Sequence, residues 1–361
     1  MEHKKKYGYN DAWEAIIRPP RDIYDKKDLG SNQFSIGSRK FKRTDLNIRN
    51  ERGLILRCSF FEPDNSQRVA KELPCVIYLH GNSSSRVEAI PYLGLLLPSE
   101  ITLFCFDFAG SGQSEGEYVS LGWWEREDLK VVIEYLRGTG RVSTIALWGR
   151  SMGAATALLH AYRDPSIAGL VLDSPFASMN RLTEELINKH TGKVPGFTIS
   201  VFLWFVKKTI KSKAQFNMDD LVPLNYVESE YIPAQFIVAK SDDFINPSHG
   251  TLLYEKYAGD KNLIEVEGGH NTKRPNHALS TIYVFLHNAL RVETLLPGRK
   301  LELPNLAKLA YPKHEIPSPE SVIVLDPKEA NLEEVEDEDL KKAIEMSLET
   351  YELESERWKF G

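Results

Sequence analysis

Six short apolar runs recur between residues 75 and 266: Cys75–Leu79, Ile101–Phe106, Ser143–Leu147, Gly169–Leu172, Phe236–Ala239 and Leu263–Val266. Continuous apolar runs of this length fit strands buried on both faces of a parallel sheet. Helical segments separate them, among them Trp123–Arg137, Ala154–Tyr162 and the stretch around Tyr254–Tyr257. Such alternation predicts an α/β fold, a doubly wound and mostly parallel sheet of about eight strands with helices on both faces. Function in such a sheet belongs at the C-terminal ends of the strands. Ahead of the first run, Lys42–Ile48 and Leu54–Phe61 alternate polar and apolar residues around the turn Asn50–Gly53, which predicts an antiparallel pair at the sheet edge. Residues 1–40 read as a leader that packs on this core, with a short helix over Ala12–Arg18 ended by Pro19.

The chain's 361 residues allow one large domain with extensions, and its 42% hydrophobic and 27% charged residues are ordinary for a globular protein. A net charge of −6 gives no global pull towards nucleic acid. Met1–Asn10 is polar and basic without the apolar core of a secretory signal, and no apolar stretch is long enough to span a membrane. Cys58, Cys75 and Cys105 have no metal-ligand spacing, and Cys75 and Cys105 sit in predicted strands as small apolar residues. These features predict a cytoplasmic protein.

The third apolar run leads into Gly149-Arg150-Ser151-Met152-Gly153, a G-x-S-x-G motif followed at once by the Ala- and Leu-rich helix. A serine on a tight strand-to-helix turn is pushed into the crevice above the sheet, and the helix N-terminus behind it aims N–H groups at whatever binds there. Gly149 and Gly153 let strand and helix approach closely. A nucleophilic serine needs a base and a group that orients the base. His270 follows the last strand in Glu267-Gly268-Gly269-His270. His80 lies in a loop, His160, His277 and His287 fall in predicted helices, and His190 and His249 lie away from strand ends. The loop after Phe236–Ala239 holds Asp242 and Asp243. One step along an extended chain reverses side-chain direction, so a single carboxylate points inward; Asp242, three residues past Ala239, is preferred and Asp243 is the reserve. Asp173, at the end of Gly169–Leu172, is a further candidate acid. Asp107-Phe108-Ala109-Gly110-Ser111-Gly112 contains G-x-G, but Glu115 stands where a dinucleotide site needs its third glycine, so this loop reads as a tight turn shaping the pocket rim and Asp107 as structural.

Over residues from about 40 to 290 the chain resembles the serine α/β-hydrolases, including the protein depalmitoylating members. His80-Gly81-Asn82, the Asp107–Ser114 loop, Gly149–Gly153, Asp242 and Gly269-His270 carry the likeness. Unlike the cysteine-rich N-terminus of the depalmitoylating members, this chain has no cysteine before Cys58. The resemblance implies an α/β-hydrolase domain over residues 41–291 and the chain order Ser151, Asp242, His270 for a catalytic triad. It implies oxyanion donors at the backbone N–H of Met152 and of Asn82, with Ser83 as the alternative to Asn82. It also implies that the insertion at about 180–227, apolar from Ile199 to Ile210, is a lid whose side chains line an acyl pocket; contact with a membrane surface is the weaker reading. The expected reaction is hydrolysis of an acyl ester or thioester, with an amide as alternative and no cofactor or metal.

After Leu290, prolines punctuate a linker over residues 292–330. In the helical segment 331–355 an acidic block precedes Leu340, Ala343, Ile344, Ser347 and Leu348, one stripe of a helix at i, i+3, i+4, i+7 and i+8. The pattern resembles a ubiquitin-interacting motif and implies helix-in-groove binding of ubiquitin or ubiquitinated proteins. Ala343 would let the helix lie close, Leu340, Ile344 and Leu348 would supply buried area, and Ser347 a hydrogen bond. A non-catalytic ubiquitin-binding scaffold is the reading from a different functional class.

Overall fold

The computed structural model describes residues 9–191 and 196–298, together with Pro304 and Lys342. Its strands are β1 (Gln33–Ile36), β2 (Arg39–Arg49), β3 (Ile55–Pro63), β4 (Leu73–Leu79), β5 (Thr102–Phe106), β6 (Val142–Arg150), β7 (Gly169–Asp173), β8 (Ala234–Ala239) and β9 (Lys261–Val266). The helices are α1 (Tyr9–Ile17), α2 (Leu93–Leu96), α3 (Glu125–Gly138), α4 (Met152–Ala161), α5 (Met179–Thr191), α6 (Gly196–Ala214), α7 (Leu224–Val227), α8 (Pro247–Lys256) and α9 (Asn276–Ala289). All six apolar runs form neighbouring strands of one sheet, ordered β1-β2-β3-β5-β4-β6-β7-β8-β9. From β5 to β9 every pairing is parallel, whereas β1 to β3 join antiparallel. The chain leaves β4 for β5 on one side and then returns to β6 on the other, so strand order reverses at β4. A crevice opens at such a reversal, above the strand ends.

Period-two alternation divides the core between the sheet's faces. Cys75, Ile77 and Leu79 of β4 and Ile145 and Leu147 of β6 pack with α3, α4 and α8. Val76, Tyr78, Ala146 and Trp148 point the other way, onto α2 and α9. Every residue of β4, β5, β7 and β8 is buried. At about 1.5–3 kcal/mol per fully buried large apolar side chain, these central strands anchor everything at their C-terminal ends. The three cysteines are buried and free.

The sheet has one strand more than the alternation suggests, and that strand lies in the stretch read as a leader. β1 forms a tight hairpin with β2 and is the true edge, so the β2–β3 pair lies one position further in. Four residues of polar–apolar alternation gave too little periodicity to find it; pairing with β2 supplies the hydrogen bonds. The expected helix before Pro19 is α1, and it buries Ala12, Trp13, Ile16 and Ile17. These side chains share a core with Leu203, Phe205, Val206 and Ile210 of α6. Much of the apolar character of the insertion is therefore spent on packing with α1, while Trp204 is 58% exposed. Among the described residues no helix is long and apolar enough to cross a membrane. The ubiquitin-interacting-motif-like segment lies outside the described residues, apart from Lys342.

Candidate active site

Ser151 stands between β6 and α4 with φ 54° and ψ −118°, a sparsely populated conformation for a residue with a side chain. Such a conformation costs on the order of 1–3 kcal/mol and survives only where its surroundings enforce it. Here they do: a Cβ at Gly149 would overlap the Gly153 carbonyl, and a Cβ at Gly153 would overlap the carbonyl of Leu79. The Ser151 N–H donates to the Asp173 carbonyl at 2.8 Å, which fixes the turn against the end of β7.

His270, 2% exposed, lies after β9, and its Nδ1 is 2.7 Å from Asp242 Oδ2. The other oxygen of Asp242 accepts the N–H groups of Phe244 at 3.0 Å and Ile245 at 2.8 Å. Burial alone would raise the Asp242 carboxyl; the hydrogen bond and charge of His270, with those two N–H groups, outweigh it and hold the group below the ordinary carboxylate range. The Phe244 ring lies 5.2 Å from the imidazole, centroid to centroid. Asp243 points elsewhere: its side chain is 58% exposed and 3.7 Å from Lys189 of α5. Of the two neighbouring aspartates, then, it is Asp242 that meets His270.

The loop after β4 is held by buried side chains. The Phe108 N–H donates to Nε2 of His80 at 3.1 Å, which leaves the proton on Nδ1 to donate to the Gly81 carbonyl at 2.7 Å. Ser83 has φ 58°. Among the described residues no acceptor takes up the N–H of Met152, of Asn82 or of Ser83. Donors left open beside a serine on a helix N-terminus are suited to a developing oxyanion. Asp107 accepts Arg86 N–H at 2.7 Å, Tyr24 O–H at 2.6 Å and Gln113 N–H at 2.9 Å, the structural role expected of it.

Three side chains to which sequence reasoning gave no such role tie these parts together. Arg150 donates to Glu88 at 3.0 Å, to the His270 carbonyl at 2.9 Å and to Asn271 at 2.6 Å. Glu88 also accepts the Gly81 N–H at 3.1 Å and the Tyr78 hydroxyl at 3.0 Å. Burial opposes its ionisation, but the Arg150 charge together with the hydrogen bonds of Ser84 and the Gly81 N–H outweighs it and lowers its pKa. Arg274 grips both oxygens of Asp173 at 2.7–3.0 Å and reaches the carbonyls of Gly269, His270 and Thr272. Asp173, weighed above as an alternative acid, is thus fully engaged by a guanidinium. One signal was present in the sequence: a charged residue inside the serine motif and an aspartate at a buried strand end both need partners.

The buried Asp173–Arg274 pair carries a prediction. Arg274→Ala leaves a buried carboxylate unpaired and is expected to cost about 3–5 kcal/mol of stability. The double variant Asp173→Asn/Arg274→Ala, read against Arg274→Ala and Asp173→Asn alone, is expected to recover part of that loss in urea denaturation. Strictly additive losses around the cycle would show that the two groups do not act as a pair.

The glycine-enforced serine turn at a strand-order reversal, with a histidine and aspartate brought in from later strands, decides the architecture. This is an α/β-hydrolase fold. Residues 71–223 match the family described as Serine aminopeptidase, S33. That match runs from just before β4 into the insertion, ending ahead of α7, and includes Ser151. YqkD of Bacillus subtilis is 29% identical over 221 residues, 59% of this chain and 71% of YqkD. YfhR of Salmonella typhi is 28% identical over 148 residues, 37% of this chain and 48% of YfhR. The Pyrococcus furiosus esterase Pf2001 superposes on the hydrolase fold with a TM-score of 0.56 at 24% identity, covering 75% of this chain and 99% of the esterase. Outside the hydrolase fold, residues 336–351 match the ubiquitin interaction motif.

Proposed function

We propose that the protein is a serine hydrolase that cleaves an acyl ester or thioester. The observation that carries this reading is the 2.7 Å contact between Asp242 and His270, at the same end of the parallel strands that carries Ser151. In this reading the Ser151 hydroxyl attacks the acyl carbonyl as His270 takes its proton. Asp242 holds the imidazole in the required tautomer and stabilises its charged form. The N–H groups of Met152 and Asn82 receive the oxyanion. His270 then protonates the leaving alcohol or thiol, and water releases the acid by the same steps. In this reading apolar residues of the insertion supply acyl contacts.

A peptidase or amidase reading is favoured by one observation, the description of the matched family as a serine aminopeptidase. A substrate panel separates the two. p-Nitrophenyl esters and an acyl-thioester are expected to turn over at least a hundredfold faster than aminoacyl p-nitroanilides. The reverse ranking replaces the esterase reading by the peptidase one.

The C-terminal segment, by its match to the ubiquitin interaction motif, is proposed to bring the hydrolase to ubiquitinated partners. Removal of residues 331–361 is expected to abolish ubiquitin binding in an NMR titration and leave small-ester turnover within twofold. Collapse of turnover as well would mean that the tail is part of the catalytic domain. Retained ubiquitin binding would place the binding surface elsewhere.

A further inference from the structure

A cavity of about 420 Å³ opens on the flank of the hydrolase fold, lined in part by Lys26, Asp45, Asn47, Arg57, Arg86 and Gln113. None of these residues belongs to the proposed catalytic set, and the chemistry of the lining is uneven. The one carboxylate, Asp45, is already matched, with Arg43 Nε at 3.0 Å and the Ser59 hydroxyl at 2.8 Å. Three cations remain. Lys26 is exposed on one wall, and among the described residues no carboxylate lies within ion-pair distance of it. Half-buried Arg57 reaches Asn47 at 2.9 Å. Arg86 is only 3% exposed. Its Nε donates to the Tyr24 hydroxyl at 2.7 Å and its Nη2 meets Gln113 Oε1 at a long 3.5 Å, while its Nη1 has no partner among the described residues. The nearest carboxylate, Asp107, lies 3.9 Å from Nε and already accepts three shorter hydrogen bonds.

A guanidinium has five N–H donors in a fixed fork, and those of Arg86 not taken up inside the fold, Nη1 foremost, are available to a ligand in the cavity. A chain of net charge −6 has no general excess of cations to spread over its surface, which makes three of them around one cavity a specific feature. A phosphate group is a dianion near neutral pH, and its oxygens match both an arginine fork and separate point charges. A lone carboxylate could answer only one of the three cations. We propose that this cavity binds a phosphate-bearing small molecule, with Arg86 at its floor and Arg57 and Lys26 on its walls. Arg86 directly follows Ser85 and begins the turn that carries Glu88, so the site abuts the segment that positions the Gly81–Asn82 loop. The assignment is independent of the reaction given to Ser151.

The test is isothermal titration of the full chain with inorganic phosphate at fixed ionic strength, with acetate as control. Saturable one-to-one binding is expected, weakened at least tenfold in Lys26→Ala/Arg57→Ala, unchanged in Ser151→Ala, and weaker for acetate. No saturable heat, or a heat that survives the double variant undiminished, overturns the proposal. So does acetate binding as tightly as phosphate. Lys26→Glu changes only an exposed side chain and guards against misfolding of the double variant. It is expected to weaken phosphate several-fold, and unchanged affinity overturns the assignment.

Discussion

Ser151→Ala is expected to lower ester turnover by about 10⁶-fold and to abolish labelling by a fluorophosphonate probe, while leaving the fold intact. The magnitude follows from what the serine does. Its removal takes away the covalent route altogether, and only binding and the oxyanion donors remain to assist water. His270→Ala is expected to fall to a similar level, and the double variant no further, because two parts of one proton-transfer unit do not contribute additively. Ser151 sits on a turn whose conformation is enforced by Gly149, Gly153 and the Asp173 carbonyl, so truncating its hydroxyl disturbs no other contact in the turn. Labelling that persists in Ser151→Ala would place the nucleophile elsewhere. A well-folded wild type without labelling or turnover would instead support the scaffold reading, in which the tail alone carries the function.

The two neighbouring aspartates should differ sharply. Asp242→Asn is expected to reduce turnover by about 10⁴-fold, since an amide in place of the carboxylate offers His270 Nδ1 the wrong partner and loses the charge that stabilises the imidazolium. Asp243→Asn is expected to leave turnover within twofold, because this side chain is largely exposed and its nearest cation is Lys189. Rates measured side by side on one p-nitrophenyl ester decide the matter. Equal losses in the two variants would mean that the loop rearranges when substrate binds, and a larger loss for Asp243→Asn would exchange their roles.

The preference for Asp242 over Asp243 came from a step count, which is a weak argument because a loop does not keep the alternation of a strand. What decides the orientation is a pair of hydrogen bonds made three-dimensionally: Asp242 Oδ1 takes the N–H groups of Phe244 and Ile245, so Oδ2 is left to face His270. Likewise His80, in the loop expected to carry an oxyanion donor, is a buried strut between Phe108 and Gly81. The insertion read as a lid has a packing role that its own sequence did not disclose. Its buried side chains share a core with α1, a helix distant in the chain.

By itself the sequence determined the features whose causes are local. Buried parallel strands are short and mostly apolar, and the six runs are six strands of the sheet, although the last, β9, is an edge strand that Glu265 interrupts and is only partly buried. Two glycines flanking a serine can form a turn that no other residues could form, because a Cβ at either would meet backbone. The order of the chemical residues along the chain follows from the order of the strands that carry them. The tertiary structure alone decided which charged groups meet. Arg150 and Glu88, 62 positions apart, and Arg274 and Asp173, 101 apart, find each other only once β4, β6 and β7 lie side by side. A buried charge needs a partner, but nothing in a linear pattern says which one; that depends on side-chain reach across strands whose order in the sheet is not their order in the chain.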